Sequence, residues 1–239
     1  MENTVKTAIW VSGFGIVVLV FASMVFGAEG DDPIFRAMDD ELARSMDKLV
    51  IEGMPPPHFL SYRIRDYESM AIEARYGALT QSERSHNRYL YIDLRVGDPS
   101  LDNTNFFATW RDIWNGREGV VEEDSYDGLR HQIWYHTDGA YKDALENLAR
   151  KKAYLQAHPV KEEVPDFSTV EPVVYQGELA GLESDQVRWE DRVREAGRVF
   201  EEFALLQDWK IEYMAQAVNQ WYVNSEGSRH RKGEVYCFL

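Results

Sequence analysis

Six histidines, one cysteine and a surplus of acids are the side chains from which this chain could build a reactive site. A zinc-dependent hydrolase on a helix needs two histidines on one face and a glutamate beside the metal-bound water. No histidine here is followed by glutamate, and His131 and His136 are five residues apart, which turns two helical side chains away from each other. His230 and Cys237 could share a metal near the end, but two ligands do not make a structural site. A Gly-x-Ser-x-Gly nucleophile turn and a Gly-x-x-x-x-Gly-Lys phosphate loop are both missing. Adjacent carboxylates at Glu122-Glu123-Asp124 and Glu162-Glu163 read as solvated, and a general acid needs burial to raise its pKa. We therefore expect no catalytic residue and no metal ligand within this chain.

One polar group is placed as a binding site would be. In RYLYIDLRVGDPSLDNTNF, Leu90, Ile92, Leu94 and Val96 alternate with Tyr89, Tyr91, Asp93 and Arg95, the period of a half-buried strand. Gly97-Asp98-Pro99-Ser100 supplies turn chemistry. Asp102, Asn103, Thr104 and Asn105 follow, short polar side chains that hydrogen-bond backbone and compete with regular structure. A rigid strand thus delivers them to a defined place, and they are the candidate contacts for a peptide or partner. A polar turn that only closes a sheet would look the same.

The elements around that loop read as follows. Ala8 to Ala28 is an apolar run without a charge, with Lys6 before it and Glu29, Asp31 and Asp32 after it. It is expected to be an N-terminal hydrophobic helix, either a cleaved signal peptide or a retained membrane anchor, with the acidic remainder outside the cytoplasm. Phe35, Met38, Leu42, Met46 and Leu49 form an amphipathic helix after Pro33, stopped by Gly53 and Pro55-Pro56-Pro57. The methionine stripe is core. Strands are expected over FLSYRIRDY and residues 70–76, completing an antiparallel meander with residues 88–96, and Gln81 to Asn87 is expected as an exposed hairpin end. His58, at the mouth of a strand, then reads as solvated, and His86 as a solvated loop residue.

Caps at Asp124-Ser125 and Thr137-Asp138 predict two helices, Tyr126 to His136 and Gly139 to His158. Pro159 to Gly181 is a long polar surface excursion, and Trp189 to Leu206 is helical. Two strands are expected near 209–216 and 218–224, then a Ser-Glu-Gly-Ser turn. The 107–124 stretch carries no clear pattern.

A chain of 239 residues with 44% hydrophobic and 13% aromatic residues can bury a core. Its net charge of −15 argues against nucleic acid and anionic lipid as partners through a general field. The single Cys237 excludes an internal disulfide. The fold class expected is α+β: a mixed α/β domain with an antiparallel meander packed against amphipathic helices, preceded by the hydrophobic segment.

The order of five segments resembles the amino-terminal half of TldD/PmbA-type metallopeptidases, the modulator-of-gyrase family. They are AMDDELARSMDKL, RVGDPSLDNTNF, TDGAYKDALENLARKKA, PDFS and YVNSEGSRHR, spread over residues 33–231. The resemblance implies a mixed α/β amino-terminal domain and a carboxy-terminal domain that carries zinc in a His-Glu-x-x-x-His motif with a later Cys. That motif has no counterpart here, so no family catalytic residue carries over to any position. The resemblance further implies zinc only in a missing carboxy-terminal domain or a partner, a peptide substrate, and homo- or hetero-oligomers with a TldD/PmbA-like subunit.

The expected organisation is a leader or anchor at 1–28, the amino-terminal domain at 29–225, and at 226–239 the truncated start of a further domain. The protein would be exported, periplasmic or otherwise extracytoplasmic, touching a membrane only through residues 8–28. It would bind a peptide or partner and be inactive as an isolated chain, either as a fragment of a longer peptidase or as a free-standing domain. An exported structural or interaction protein without a link to proteolysis is the alternative.

Overall fold

The computed structural model describes residues 32–106, 117–158, 164–203 and 208–238, and the expected hydrophobic helix at 8–28 lies outside them. Among the described residues no helix is long and apolar enough to cross a membrane. They form an α+β unit of three α-helices and a seven-stranded sheet.

Two long strands, β1 (Pro57–Arg75) and β2 (Ala78–Asp98), are the frame. Tyr76 and Gly77 join them with φ of 49° and 72°, the two positive angles a two-residue type I′ hairpin needs. The meander expected as three strands is therefore one hairpin, with Arg75 opposite Ala78 and the pairing continuing to Pro57 opposite Val96. Gln81 to Asn87 is strand and not a loop end. Its core-side face is polar there: Ser82 pairs with Glu190 and Gln186, Arg84 reaches the Ser184 carbonyl, and His86 meets Asp66. Hydrophobic alternation had nothing to register there.

Strand β3 (Leu101–Asp102) folds back on the end of β2, and β4 (Glu118–Val120) pairs with its middle. On the other side of β1 lies β6 (Lys210–Asn224), one strand where two were expected. Its buried face alternates through Tyr213, Ala215, Ala217, Asn219, Trp221 and Val223, and small alanines with a buried asparagine blurred that period. Strand β7 (Arg229–Phe238) pairs antiparallel with β6, and β5 (Val174–Gln176) adds to β7 in parallel. The order is β3-β2-β1-β6-β7-β5. The boundary expected after residue 225 falls inside the β6–β7 hairpin, so residues 229–238 belong to the same sheet.

All three helices lie on one face. Helix α1 (Pro33–Lys48) starts at Asp32, whose carboxylate accepts from the Ile34 and Phe35 N–H groups. The same carboxylate accepts from Trp221 Nε1 at 2.9 Å and Arg231 at 3.1 Å, tying the cap to the sheet. Helix α2 (Tyr126–Ala157) is continuous where two helices were expected. Thr137 is no cap: its hydroxyl donates to the Ile133 carbonyl, a back-bond that lets threonine sit inside a helix, and accepts from the buried Tyr62 hydroxyl at 2.9 Å. These two helices cover Leu60, Tyr62, Ile64, Leu90, Val96 and Trp221. Helix α3 (Gln186–Val199) covers a second cluster at the hairpin end, around Met70, Ile72, Tyr213 and Val193. Burial of such side chains contributes roughly 1.5–3 kcal/mol each before entropy is counted.

Candidate functional site

Three of the five segments that carried the sequence resemblance meet at one place. Gly97 (φ 109°) lets the chain reverse after β2, where a Cβ would stand 2.6 Å from the Leu101 carbonyl. The reversal brings Asp102, fully buried, under Arg95 and beside His58. From the excursion after α2, Asp166 and Phe167 return to the same spot. Asp166 accepts from the Asp102 N–H at 2.9 Å, from Asn105 Nδ2 at 3.2 Å and from the buried Lys151 ammonium of α2. Lys151 also donates to the Thr104 carbonyl at 2.6 Å. Phe167 packs on Phe59 and edge-on to His58, with the Arg95 guanidinium 5.0 Å from its ring centre. The excursion is therefore strapped down by one acidic and one aromatic side chain.

The four predicted residues are brought together and each is engaged. Asp102 accepts from the Thr104 N–H and hydroxyl and from Arg95. Asn103 bridges β2, accepting from the Val96 N–H at 2.8 Å and donating to the Leu94 carbonyl. Asn105 sits at φ 56°, a conformation asparagine tolerates, and turns its amide to Asp166. Burial alone would raise the Asp166 pKa, but Lys151, the Asp102 N–H and Asn105 together hold it below the usual carboxylate range.

His58 was missed as a solvated residue. Its Nε2 is buried without a hydrogen-bond partner, 3.8 Å from Asp102 Oδ2. Burial pushes its pKa down, with Arg95 adding to the effect against the pull of Asp102, so the imidazole is neutral at pH 7. At 3.8 Å the imidazole and the carboxylate are not hydrogen-bonded to each other.

Other polar clusters are structural. Arg88, buried between the two apolar clusters, takes both oxygens of Asp66 and then Asp124 and the Glu123 carbonyl. The acidic run before α2 is thus docked to the sheet through Asp124. Glu41, 1% exposed, accepts from Ser45 and Arg44 at one wall of a groove of about 400 Å³ that Arg130 and Trp134 complete. An apolar groove of about 620 Å³ lies between Val199, Phe200, Ile211, Met214 and Phe238. His230 and Cys237 stand on opposite faces of β7, seven residues apart. Among the described residues no group of three or more His, Cys, Asp or Glu is placed to hold a metal ion.

The other face of the sheet carries no described helix. Across its centre run two rows, Tyr91–Arg63–Tyr222–His230 and Tyr89–Arg65–Gln220–Lys232, on strands β2, β1, β6 and β7.

No family model matches the chain, and no curated protein matches it. Among solved structures it is similar to a proposed modulator of DNA gyrase from Thermotoga maritima, at 11% identity over 85% of this chain with a TM-score of 0.47. It is also similar to TldE from Thermococcus kodakarensis, at 13% identity over 84% with a TM-score of 0.39. A proposed modulator of DNA gyrase from Bacteroides thetaiotaomicron matches at 10% identity over 86%, TM-score 0.42. The chain spans about 38% of the length of each of these structures.

Proposed function

We propose that this chain is a TldD/PmbA-like amino-terminal domain that binds a peptide or a partner subunit and hydrolyses nothing by itself. The observation that carries the reading is the convergence around His58: RVGDPSLDNTNF, the Lys151 end of TDGAYKDALENLARKKA, and PDFS lie far apart in sequence and form one hydrogen-bonded node. These three segments thus depend on one another physically. In this reading residues 8–28 export the chain, residues 102–105 shape the partner-facing end of the sheet, and zinc chemistry belongs to a further domain or a partner. The test is isolation of the native protein from membrane and soluble fractions, with its intact mass, bound zinc and co-purifying subunits measured. A zinc-bearing subunit or zinc-bearing extension supports the reading. A chain of this size that alone cleaves peptides and loses the activity to a chelator overturns it.

A further inference from the structure

The protein carries a net charge of −15, yet the centre of the sheet face that carries no described helix is cationic. Arg63 is exposed, and its guanidinium lies 5.7 Å from the Tyr222 ring centre. Arg65 lies 5.8 Å from Tyr91 and donates to Gln220, and Arg117 stacks 3.6 Å from the Tyr89 ring centre. Among the described residues none of these three arginines has a carboxylate within ion-pair distance. The acids at the margin are already engaged: Asp93 by Arg95, and Glu234 by Lys232 and Tyr236. Burial pushes the His230 pKa down, and Arg63 and Lys232 push it further, as a local positive potential requires.

A guanidinium held near a tyrosine ring keeps its remaining N–H donors available to an oxyanion, and here Arg65 gives only its Nε–H to Gln220 among the described residues. Such a face, rich in tyrosine and arginine, is also the composition that dominates binding at protein interfaces. The spacing is informative. Arg63 and Arg65 are two residues apart on β1, about 6.8 Å along the strand, which is the repeat of alternate side chains in an extended peptide.

We propose that this face docks an extended acidic segment of a partner polypeptide, running along β1 with carboxylates of alternate residues on Arg63 and Arg65. The inference rests on the binding function above and specifies the chemistry of the partner. A second copy of the chain through the same face is disfavoured, because a two-fold contact would set these cations against their own copies. A nucleic acid is disfavoured because so few cations sit within a strongly negative field, and phosphate binding scales with the number neutralised.

The experiment uses the full chain and a fluorescein-labelled peptide of alternating Glu and Ser, read by fluorescence anisotropy, with a Gln/Ser peptide and an oligothymidylate of similar length as controls. Expected are salt-sensitive binding of the Glu/Ser peptide, no binding of the Gln/Ser peptide, and a loss of about tenfold or more in R63E/R65E. The R63Q/R65Q variant should also lose affinity, which guards against a folding effect of charge reversal. Absence of binding by the wild type, affinity unchanged in both variants, or tighter binding of oligothymidylate would each overturn the inference. None of these outcomes bears on hydrolysis or on zinc-bearing subunits, so failure here and failure of the binding-domain reading are told apart.

Discussion

Replacing Asp166 with asparagine tests whether the strap is held by the Lys151 charge. Asp166 is 11% exposed at its side chain and Lys151 7%, and among the described residues the ammonium has only the Thr104 carbonyl besides. Asparagine keeps the shape, but either orientation of its amide removes the charge and sets a donor against a donor or leaves one donor unmet. Breaking a fully buried pair by removing one partner costs about 3–5 kcal/mol. The strap is bounded by exposed chain and can lift to admit water, so the lower side applies: about 2–3 kcal/mol for Asp166→Asn. Lys151→Met removes the buried cation and leaves Asp166 its two neutral donors, for about 1–2 kcal/mol. The double variant should then be more stable than the sum predicts, by about 1 kcal/mol or more. Urea denaturation reads this directly, because 2–3 kcal/mol moves the midpoint by about 1 M at a typical slope. An Asp166→Asn variant within about 0.5 kcal/mol of wild type, or strictly additive single changes, would refute the reasoning.

Two further outcomes follow from the same corner of the fold. Gly97→Ala forces a φ near 109° on a residue with a Cβ, 2.6 Å from the Leu101 carbonyl, and should cost about 2–3 kcal/mol, a fall in Tm of roughly 5–10 °C; a fall under about 2 °C would contradict it. His58 has a folded pKa below its unfolded value, so its neutral form gives full stability above about pH 6.5 and stability is lost as pH falls through that region. Urea midpoints measured from about pH 7 to 5 should decline less steeply in His58→Gln than in wild type, with His230 supplying part of the remaining slope. Identical slopes in the two proteins would show that His58 does not titrate as described.

How much was legible in the sequence depended on whether one face of an element was apolar. Helix α1 was readable because Phe35 and Met38 repeat at helical spacing and Asp32-Pro33 starts it. The end of β2 was readable because Leu90, Leu94 and Val96 alternate into the core. Its beginning was not, since Ser82, Arg84 and His86 make polar contacts, to a helix residue, a loop carbonyl and a strand carboxylate. Thr137 misled because a threonine that caps a helix and one that back-bonds within it are the same residue in sequence. The loop 102–105 was legible as polar and fixed in place, but its partners were not. Asp166 and Lys151 are 64 and 49 residues from Asp102, and an ion pair between them leaves no local pattern. The cationic face was hidden by the charge total, because Arg63, Arg65 and Lys232 share it only once three strands are in register.

The central claim is a binding domain without hydrolytic chemistry of its own. It is tested most directly by assaying peptide cleavage, with and without chelator, by the purified chain alone and by the material that co-purifies with it from its native source. The account predicts no cleavage by the chain alone and chelator-sensitive cleavage only where a zinc-bearing domain or subunit is present. Chelator-sensitive cleavage by the chain alone would contradict it.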